Sequence, residues 1–152
     1  MKSALLEKIR NELRERLQVL TRAALEAHAA ATDGDSKAES KYDTRNLEAS
    51  YLATGQARQV EEMAEAVRIF EALHPPDFSI DDAIDAGAFV EVDLQGETQY
   101  FLLVPTSGGL VVNHEGMEIT LLSPASELYR KLLGLKMGDS LEIPPLMVME
   151  VF

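Results

Sequence analysis

The amino-acid sequence predicts an α+β protein, with an N-terminal antiparallel α-helical coiled-coil hairpin followed by a small antiparallel β-sheet domain that carries one packed helix. Three observations support this. Apolar residues recur at helical spacing in the first half, two prolines follow at Pro75-Pro76, and from Gly87 apolar and polar residues alternate. We therefore place a domain boundary at the prolines, with the hairpin at 1–76 and the sheet domain at 77–152.

The first helix is predicted over residues 3–31 because its apolar side chains recur at steps of three and four, which place them along one side of a helix. Toward residue 31 this stripe narrows to alanine, and small side chains let two helices approach closely. At 1.5 Å of rise per residue, a helix of about 30 residues is roughly 45 Å long. The stripe consists of Leu6, Ile9, Leu13, Leu17, Leu20, Ala24, Ala27 and Ala31.

The segment Thr32–Tyr42 separates this helix from a second one. It contains the turn dipeptide Asp33-Gly34. Ser36 and Glu39 have the spacing of a capping box, so the second helix is predicted to begin near Ser36 and to end near Leu73, before the prolines. Two helices joined by so short a connection must be antiparallel, which makes this segment the tip of a helical arm.

The sheet domain is predicted from alternating apolar residues that are separated by glycine-containing turns. Ser123-Pro124 predicts the start of a helix, with Ser123 as the N-cap and Pro124 in the first helical position. In this helix, Leu128, Leu132 and Leu133 are expected to face the sheet. The predicted strands are 89–94, 98–104, 110–112, 117–122, 141–143 and 146–152.

Charge and composition limit the possible partners and location. The net charge is −12, of which residues 77–152 carry −10, so a phosphate backbone would repel this half and we expect no DNA binding. A basic protein surface is the expected partner. The absence of cysteine excludes disulfides, thiolate zinc sites and a thiol nucleophile, and it fits the cytoplasm. No signal peptide or membrane-spanning run is present, so we expect a cytoplasmic location and no membrane contact.

The chain has no Gly-rich phosphate loop and no triad or His-x-x-x-His motif, so a stand-alone hydrolase or oxidoreductase is not expected. The candidate chemical groups are the four acids of the tip, Asp33, Asp35, Glu39 and Asp43. Asp35 and Glu39 are four residues apart, so both can point the same way from the start of a helix. Two carboxylates fill only part of the six-oxygen shell of Mg²⁺. A solvated turn with capping acids is the alternative interpretation.

The layout resembles that of the bacterial Gre transcript-cleavage factors, GreA and GreB, over nearly the whole chain. The family pattern Gly-Asp-x-x-Glu-Asn-x-Glu-Tyr is similar to the segment from Gly34 to Tyr42, with Gly34, Asp35 and Tyr42 in register. A second and more specific likeness is that of the family's Ser-Pro-x-x-x-Ala-Leu-Leu-Gly-Lys-x-x-Gly-Asp to Ser126–Asp139, because it joins a cap, a helix and a turn in order.

This resemblance implies both a fold and a function. It implies an FKBP-like C-terminal domain that docks on the rim of core RNA polymerase, with Ser123, Pro124, Ser126 and Leu128 as candidate docking residues. It implies that the hairpin enters the secondary channel of the polymerase. There Asp35 and Glu39 would help to hold the second catalytic Mg²⁺, and the polymerase itself would hydrolyse backtracked RNA. The protein would then be a monomeric factor rather than an enzyme, with no metal of its own and only indirect contact with nascent RNA.

Other functions remain open. Three residues after Asp35, where the family has its second acid, this chain has Ala38, and Glu39 follows one residue later. A Gre-like regulator that occupies the channel without stimulating cleavage is therefore the close alternative. A coiled-coil adaptor or holdase is a more distant one. A prolyl isomerase is disfavoured because only 6% of the residues are aromatic and none is tryptophan.

Overall fold

The structure, a computed structural model, describes the backbone of residues 1–32 and 44–152 and the side chains of residues 1–30 and 55–152. The fold class is α+β, as predicted, with two long helices followed by a sheet that carries a short helix. The chain forms two compact units, Arg10–Glu71 and a unit that joins Met1–Ile9 to Ala72–Phe152. We call these the helical unit and the sheet unit. The two-domain division at residues 1–76 and 77–152 stays a prediction.

The two long helices are α1 (Lys2–Thr32) and α2 (Thr44–Ala72), close to the predicted 3–31 and to the predicted end near residue 73. Arg10 Nε donates to the main-chain oxygen of Phe70 at 2.7 Å, so this part of α1 lies beside the last turn of α2 and the helices are antiparallel. The carbonyl groups in the last turn of a helix lack a hydrogen-bond partner within that helix, and the Arg10 guanidinium provides one for the Phe70 carbonyl. The predicted start of α2 near Ser36 lies outside the described residues.

Beside this contact, the helical unit buries Leu13, Ala66 and Phe70. Arg14 pairs with Glu71 at the same place, with Nε donating to a carboxylate oxygen at 2.7 Å. Gly55, inside α2, has no atom within 4 Å of the position that a Cβ would occupy, so no close helix contact requires a glycine there.

The sheet unit contains a six-stranded sheet in the order β3-β4-β2-β1-β6-β5. The strand ends lie within two residues of their predicted bounds. The expected antiparallel arrangement holds for four of the strand pairs, whereas β2 and β4 are parallel, because β4 returns between β2 and β3. The elements are β1 (Phe89–Leu94), β2 (Glu97–Leu103), β3 (Val111–His114), β4 (Met117–Leu122), α3 (Glu127–Leu132), β5 (Ser140–Leu141) and β6 (Leu146–Val151).

One face of the sheet, which we call the core face, packs against α3. Tyr129 and Leu132 of α3 are buried among apolar side chains that alternate along the strands. Burial of these side chains removes apolar surface from water, which is the main favourable term for this unit. The strand residues of this cluster are Val90, Val92, Phe101, Leu103, Leu122, Leu146, Val148 and Val151.

The start of α3 differs from the prediction. Ser126 is the N-cap, and its side chain accepts from the Tyr129 N–H at 3.4 Å, so Ser123 is not the cap and Pro124 precedes the helix. Ser123 instead belongs to a preceding turn, in which its main-chain oxygen accepts from the Ser126 N–H at 2.8 Å. It also lies against Gly108, where a Cβ would come within 2.5 Å of Ser123 Oγ.

The apolar residues of α3 also differ in part from the prediction. Leu132 is buried and Leu128 packs against the core as predicted, but Leu133 is 40% exposed. Leu133 is the C-cap of α3, and the chain leaves the helix at Gly134, which has a φ of +85°. Because the helix ends here, Leu133 does not join the apolar stripe in which a continued helix would have placed it.

The second face of the sheet, opposite to the core face, is partly covered. Five of its strand residues are buried although they face away from the α3 cluster, namely Phe89, Leu102, Val112, Ile119 and Leu121. Leu5, Leu6 and Ile9 of the first turns of α1 are buried in the same unit. Lys8 Nζ donates to the main-chain oxygen of Asn113 on β3, which places these turns at the β3 edge.

Candidate functional site

The predicted tip site lies outside the described residues. This applies to all four acids, since α1 ends at Thr32 and α2 begins at Thr44. The roles proposed for the tip therefore stay predictions. Among residues 1–30 and 55–152, whose side chains the structure describes, no three His, Asp or Glu residues are grouped so that they could hold a metal ion. None of the described helices is long and apolar enough to cross a membrane.

The candidate docking residues lie together around the start of α3, but they differ in what they expose. Ser126 is engaged as the N-cap, and Leu128 is half-buried against the core. Pro124 is exposed, and its main-chain oxygen accepts from Arg130 Nη1 at 3.0 Å. Ser123 is half-buried in the turn before the cap. The segment therefore presents an exposed Pro124 that the capped helix holds in place, and its role in docking stays a prediction.

The remaining residues of the Ser126–Asp139 likeness shape a turn. Asp139 accepts from the Lys136 N–H at 2.9 Å through Oδ2, and the Asp139 N–H donates to the Lys136 main-chain oxygen at 2.9 Å. Gly138 has a φ of +90°, a conformation that residues with a Cβ rarely adopt. The Gly138 N–H donates to the main-chain oxygen of Val148 in β6 at 2.8 Å. These residues therefore fix the connection from α3 to the last strands.

Lys2 is a buried charged residue that the sequence analysis missed. Its side chain is 9% exposed, and Nζ donates to the main-chain oxygens of Pro76 at 2.6 Å and Phe152 at 2.9 Å. The ammonium also lies 4.8 Å from the centroid of the Phe78 ring, within the range of a cation–π contact. Burial lowers the pKa of Lys2 to about 8, partly opposed by the charge of Asp77. No sequence signal distinguishes Lys2 from Lys8, the other lysine of α1.

The linker before the sheet also contains a turn that is held by hydrogen bonds between Ser79 and Asp82. Asp82 Oδ2 accepts from the Ser79 N–H at 2.7 Å, and the Asp82 N–H donates to the Ser79 main-chain oxygen at 3.1 Å. Hydrogen bonds from Ser79 to the carboxylate lower the pKa of Asp82. Because the Asp82 carboxylate is hydrogen-bonded to Ser79, it stabilises a local turn and is not a free acid.

Known proteins of similar structure include three solved structures of Gfh1. The "GreA factor homolog 1 (Gfh1) protein of Thermus thermophilus" is 19% identical, with 94% of each chain covered and a TM-score of 0.37. A structure described as "the transcription factor Gfh1" is 22% identical, with 97% of this chain and 91% of that chain covered and a TM-score of 0.36. Thermus aquaticus Gfh1 is 23% identical, with 98% and 92% covered and a TM-score of 0.35.

No protein-family model and no curated protein matches the chain. At these low identities and TM-scores, the likeness to Gfh1 gives no basis for transferring a role to any residue.

Proposed function

We propose that the protein binds core RNA polymerase as a Gre-like transcription elongation factor. The helical arm enters the secondary channel, and the sheet unit docks on the rim at the channel mouth. One combination of features carries the proposal. The same chain contains an antiparallel helical arm with acids between its two helices and the segment Ser126–Asp139, which resembles the Gre family.

The dimensions of the arm support insertion into a channel. The 31 residues of α1 correspond to a helix of about 45 Å. The acids Asp33, Asp35, Glu39 and Asp43 lie between the end of α1 and the start of α2, so a long helix separates them from Arg10 and Phe70. An arm of this kind carries its charges to a distant partner surface rather than into its own core.

The sheet unit supplies the second contact with the polymerase. Pro124 is exposed at the start of α3, where the Ser126 cap and the Arg130 contact fix the backbone. Residues 77–152 carry a charge of −10, so they favour a basic or mixed surface. We expect binding to weaken as salt rises, because exposed charges are screened beyond about 8 Å at physiological ionic strength.

The chemistry assigned to the tip is shared with the polymerase. Asp35 and Glu39 would supply two oxygens toward a second Mg²⁺, and the polymerase and the RNA phosphate would supply the remaining ligands. The polymerase performs the hydrolysis, and two metal ions stabilise the attacking and the leaving oxygens. The protein acts as a monomer, contacts nascent RNA only indirectly and holds no metal of its own.

Binding to purified core RNA polymerase tests the first part of the proposal. The full chain, labelled with a fluorophore, should form a complex at micromolar concentration in low salt, and the affinity should fall as salt is added. A complete lack of binding under these conditions would remove the proposal, including the alternative of a non-cleaving channel regulator. It would leave the adaptor or holdase function.

A cleavage assay on stalled elongation complexes tests the tip. If the protein stimulates cleavage, Asp35→Ala should reduce the cleavage rate by about a hundredfold or more while binding is nearly unchanged, because the lost contact acts mainly in the transition state. Asp81→Ala, which removes an exposed acid of the sheet unit, is the matched control and should retain activity. Equal activity of Asp35→Ala and the control would contradict a catalytic tip.

One observation favours the non-cleaving alternative. Ala38 occupies the position of the family's second acid, and Glu39 is offset from it by one residue, about 100° around a helix. A wild-type protein that binds the polymerase but leaves stalled complexes uncleaved would establish this alternative. Glu39→Ala would then cost only about 1 kcal/mol of helix stability, through the loss of the capping box.

A further inference from the structure

The second face of the sheet is covered over one half and open over the other. The open half, which we call the open sheet face, is formed by strands β2, β1, β6 and β5. Across these strands Thr98 pairs with Asp93, Asp93 with Met147, and Met147 with Ser140. Met147 is 47% exposed, and the three other residues of this row are exposed as well.

A second row lies next to the first. Tyr100 pairs with Glu91, and Glu91 pairs with Glu150. The register of β1 and β6 is irregular here, so Met149 and Glu150 are both exposed between the buried Val148 and Val151, and Met149 is 45% exposed. The open sheet face therefore presents two thioether side chains among three carboxylates.

The charges of this face are unbalanced within the sheet. None of the six described strands contains a Lys or Arg residue, whereas β1 and β6 together contain Glu91, Asp93 and Glu150. Glu91 and Glu150 are direct cross-strand partners, and like charges in that arrangement are unfavourable. Glu91 also interacts with the Tyr100 hydroxyl, and burial together with the charge of Glu91 raises the pKa of Tyr100. A cation from outside the sheet would relieve the repulsion between the two glutamates.

We propose that the open sheet face docks a basic segment of a protein partner, in which an apolar side chain packs on Met147 and Met149 and flanking Arg or Lys side chains pair with Asp93, Glu91 and Glu150. Methionine side chains adapt to partners of different shape, and exposed thioethers are typical of binding surfaces. The carboxylates around them select for positive charge and against negative charge.

Other occupants fit this face less well. A second copy of the chain placed face to face through a two-fold axis would bring Asp93, Glu91 and Glu150 near the same acids of its partner, which is repulsive. An anionic membrane surface would be repelled by the same charges. The face is also separate from the start of α3, which packs on the core face, so the docking of Pro124 on the polymerase and the binding of a basic segment use opposite sides of the sheet.

The experiment uses the full chain labelled with ¹³C at the methionine methyl groups, because its six methionines report on different regions. The probe is a short peptide that alternates leucine and arginine, and the control peptide alternates leucine and glutamate. We expect saturable shifts of the Met147 and Met149 methyl signals with the basic peptide. Met63 in α2 and Met117 in β4 should stay unchanged.

Two double variants show whether the affinity for the basic peptide depends on the acids of the open sheet face or only on the net negative charge of the protein. Asp93→Asn with Glu150→Gln should weaken binding of the basic peptide about tenfold, in the range expected for the loss of two partly exposed ion pairs. Asp81→Asn with Glu118→Gln removes two exposed acids elsewhere and should leave the affinity unchanged. Thermal unfolding of both variants shows whether the fold is intact, and Met147→Leu, which keeps the apolar volume, should retain binding.

Four results would overturn the inference. They are the absence of saturable shifts, shifts spread equally over all methionines, equal binding of the acidic peptide, and concentration-dependent shifts of Met147 and Met149 without any peptide. The last result would identify a second copy as the occupant. Because no polymerase is present, these outcomes are independent of the proposed function.

Discussion

The helical unit and the sheet unit are stabilised in different ways. Few of the described side chains in the helical unit are buried, and these lie where Arg10 contacts the end of α2. They are Leu13, Ala66 and Phe70. The sheet unit buries side chains on both faces of its sheet. A destabilising change in the sheet unit should therefore affect the unfolding of that whole unit, whereas a change in the helical unit should act locally.

The largest effect should come from the core face of the sheet. Leu132→Ala removes a fully buried side chain and should cost about 3 kcal/mol in the free energy of unfolding. Leu133→Ala makes the same chemical change one residue later, at an exposed position, and should cost about 0.5 kcal/mol. Urea unfolding of the two variants measures both values. Equal costs would contradict the assignment of Leu132 to the core.

A smaller effect should appear in the pH dependence of the sheet unit. Because burial lowers the pKa of Lys2 from 10.5 to about 8, the unfolded chain binds more protons than the folded chain between these two values. The contribution of Lys2 to the free energy of unfolding should therefore rise with pH across this window, by about 2 to 3 kcal/mol in total.

Urea unfolding of the wild-type protein and of Lys2→Met, measured from pH 7 to pH 11, isolates this effect. The difference between the two free energies should change in favour of the wild-type protein as the pH rises from about 8 to 10.5. A difference that stays constant, or that changes in the opposite direction, would show that Lys2 is not buried as described.

The smallest effect should be local to the helical unit. Arg10→Met removes the hydrogen bond to the Phe70 main-chain oxygen and should cost about 1 kcal/mol. Hydrogen exchange should accelerate in the last turns of α2, while the strands of the sheet keep their protection. Arg22→Met, at an exposed position of α1, is the control. Faster exchange throughout the sheet in Arg10→Met would contradict the local nature of this contact.

Much of the fold follows from local sequence patterns. Helical spacing gave the bounds of α1 and the end of α2, and alternation gave β1 and β4 to the residue. These patterns depend on neighbouring residues, which is why one sequence suffices. The parallel pairing of β2 and β4 was missed, because the order of strands in a sheet depends on long-range contacts that alternation does not encode.

The same limit applies to caps and surfaces. Serine is a common N-cap, so residue type does not distinguish Ser123 from Ser126. In the structure Ser123 lies in a turn before the helix, and Ser126 is therefore the N-cap. The alternation of β6 is visible in the sequence, but only the register places Met147 beside Asp93. Spacing and a family likeness point to the tip acids, and the roles of these acids stay predictions.

The most direct test of the central claim is site-specific crosslinking from the tip. Because the chain contains no cysteine, Ser40→Cys provides a unique attachment point for a photocrosslinker, and Ser79→Cys provides a matched control in the linker. With core RNA polymerase, Ser40→Cys should crosslink to the secondary channel near the catalytic aspartates, in competition with unlabelled protein. The control should not crosslink there. Crosslinks from Ser40→Cys only to the outer surface of the polymerase, or none, would contradict the insertion of the arm.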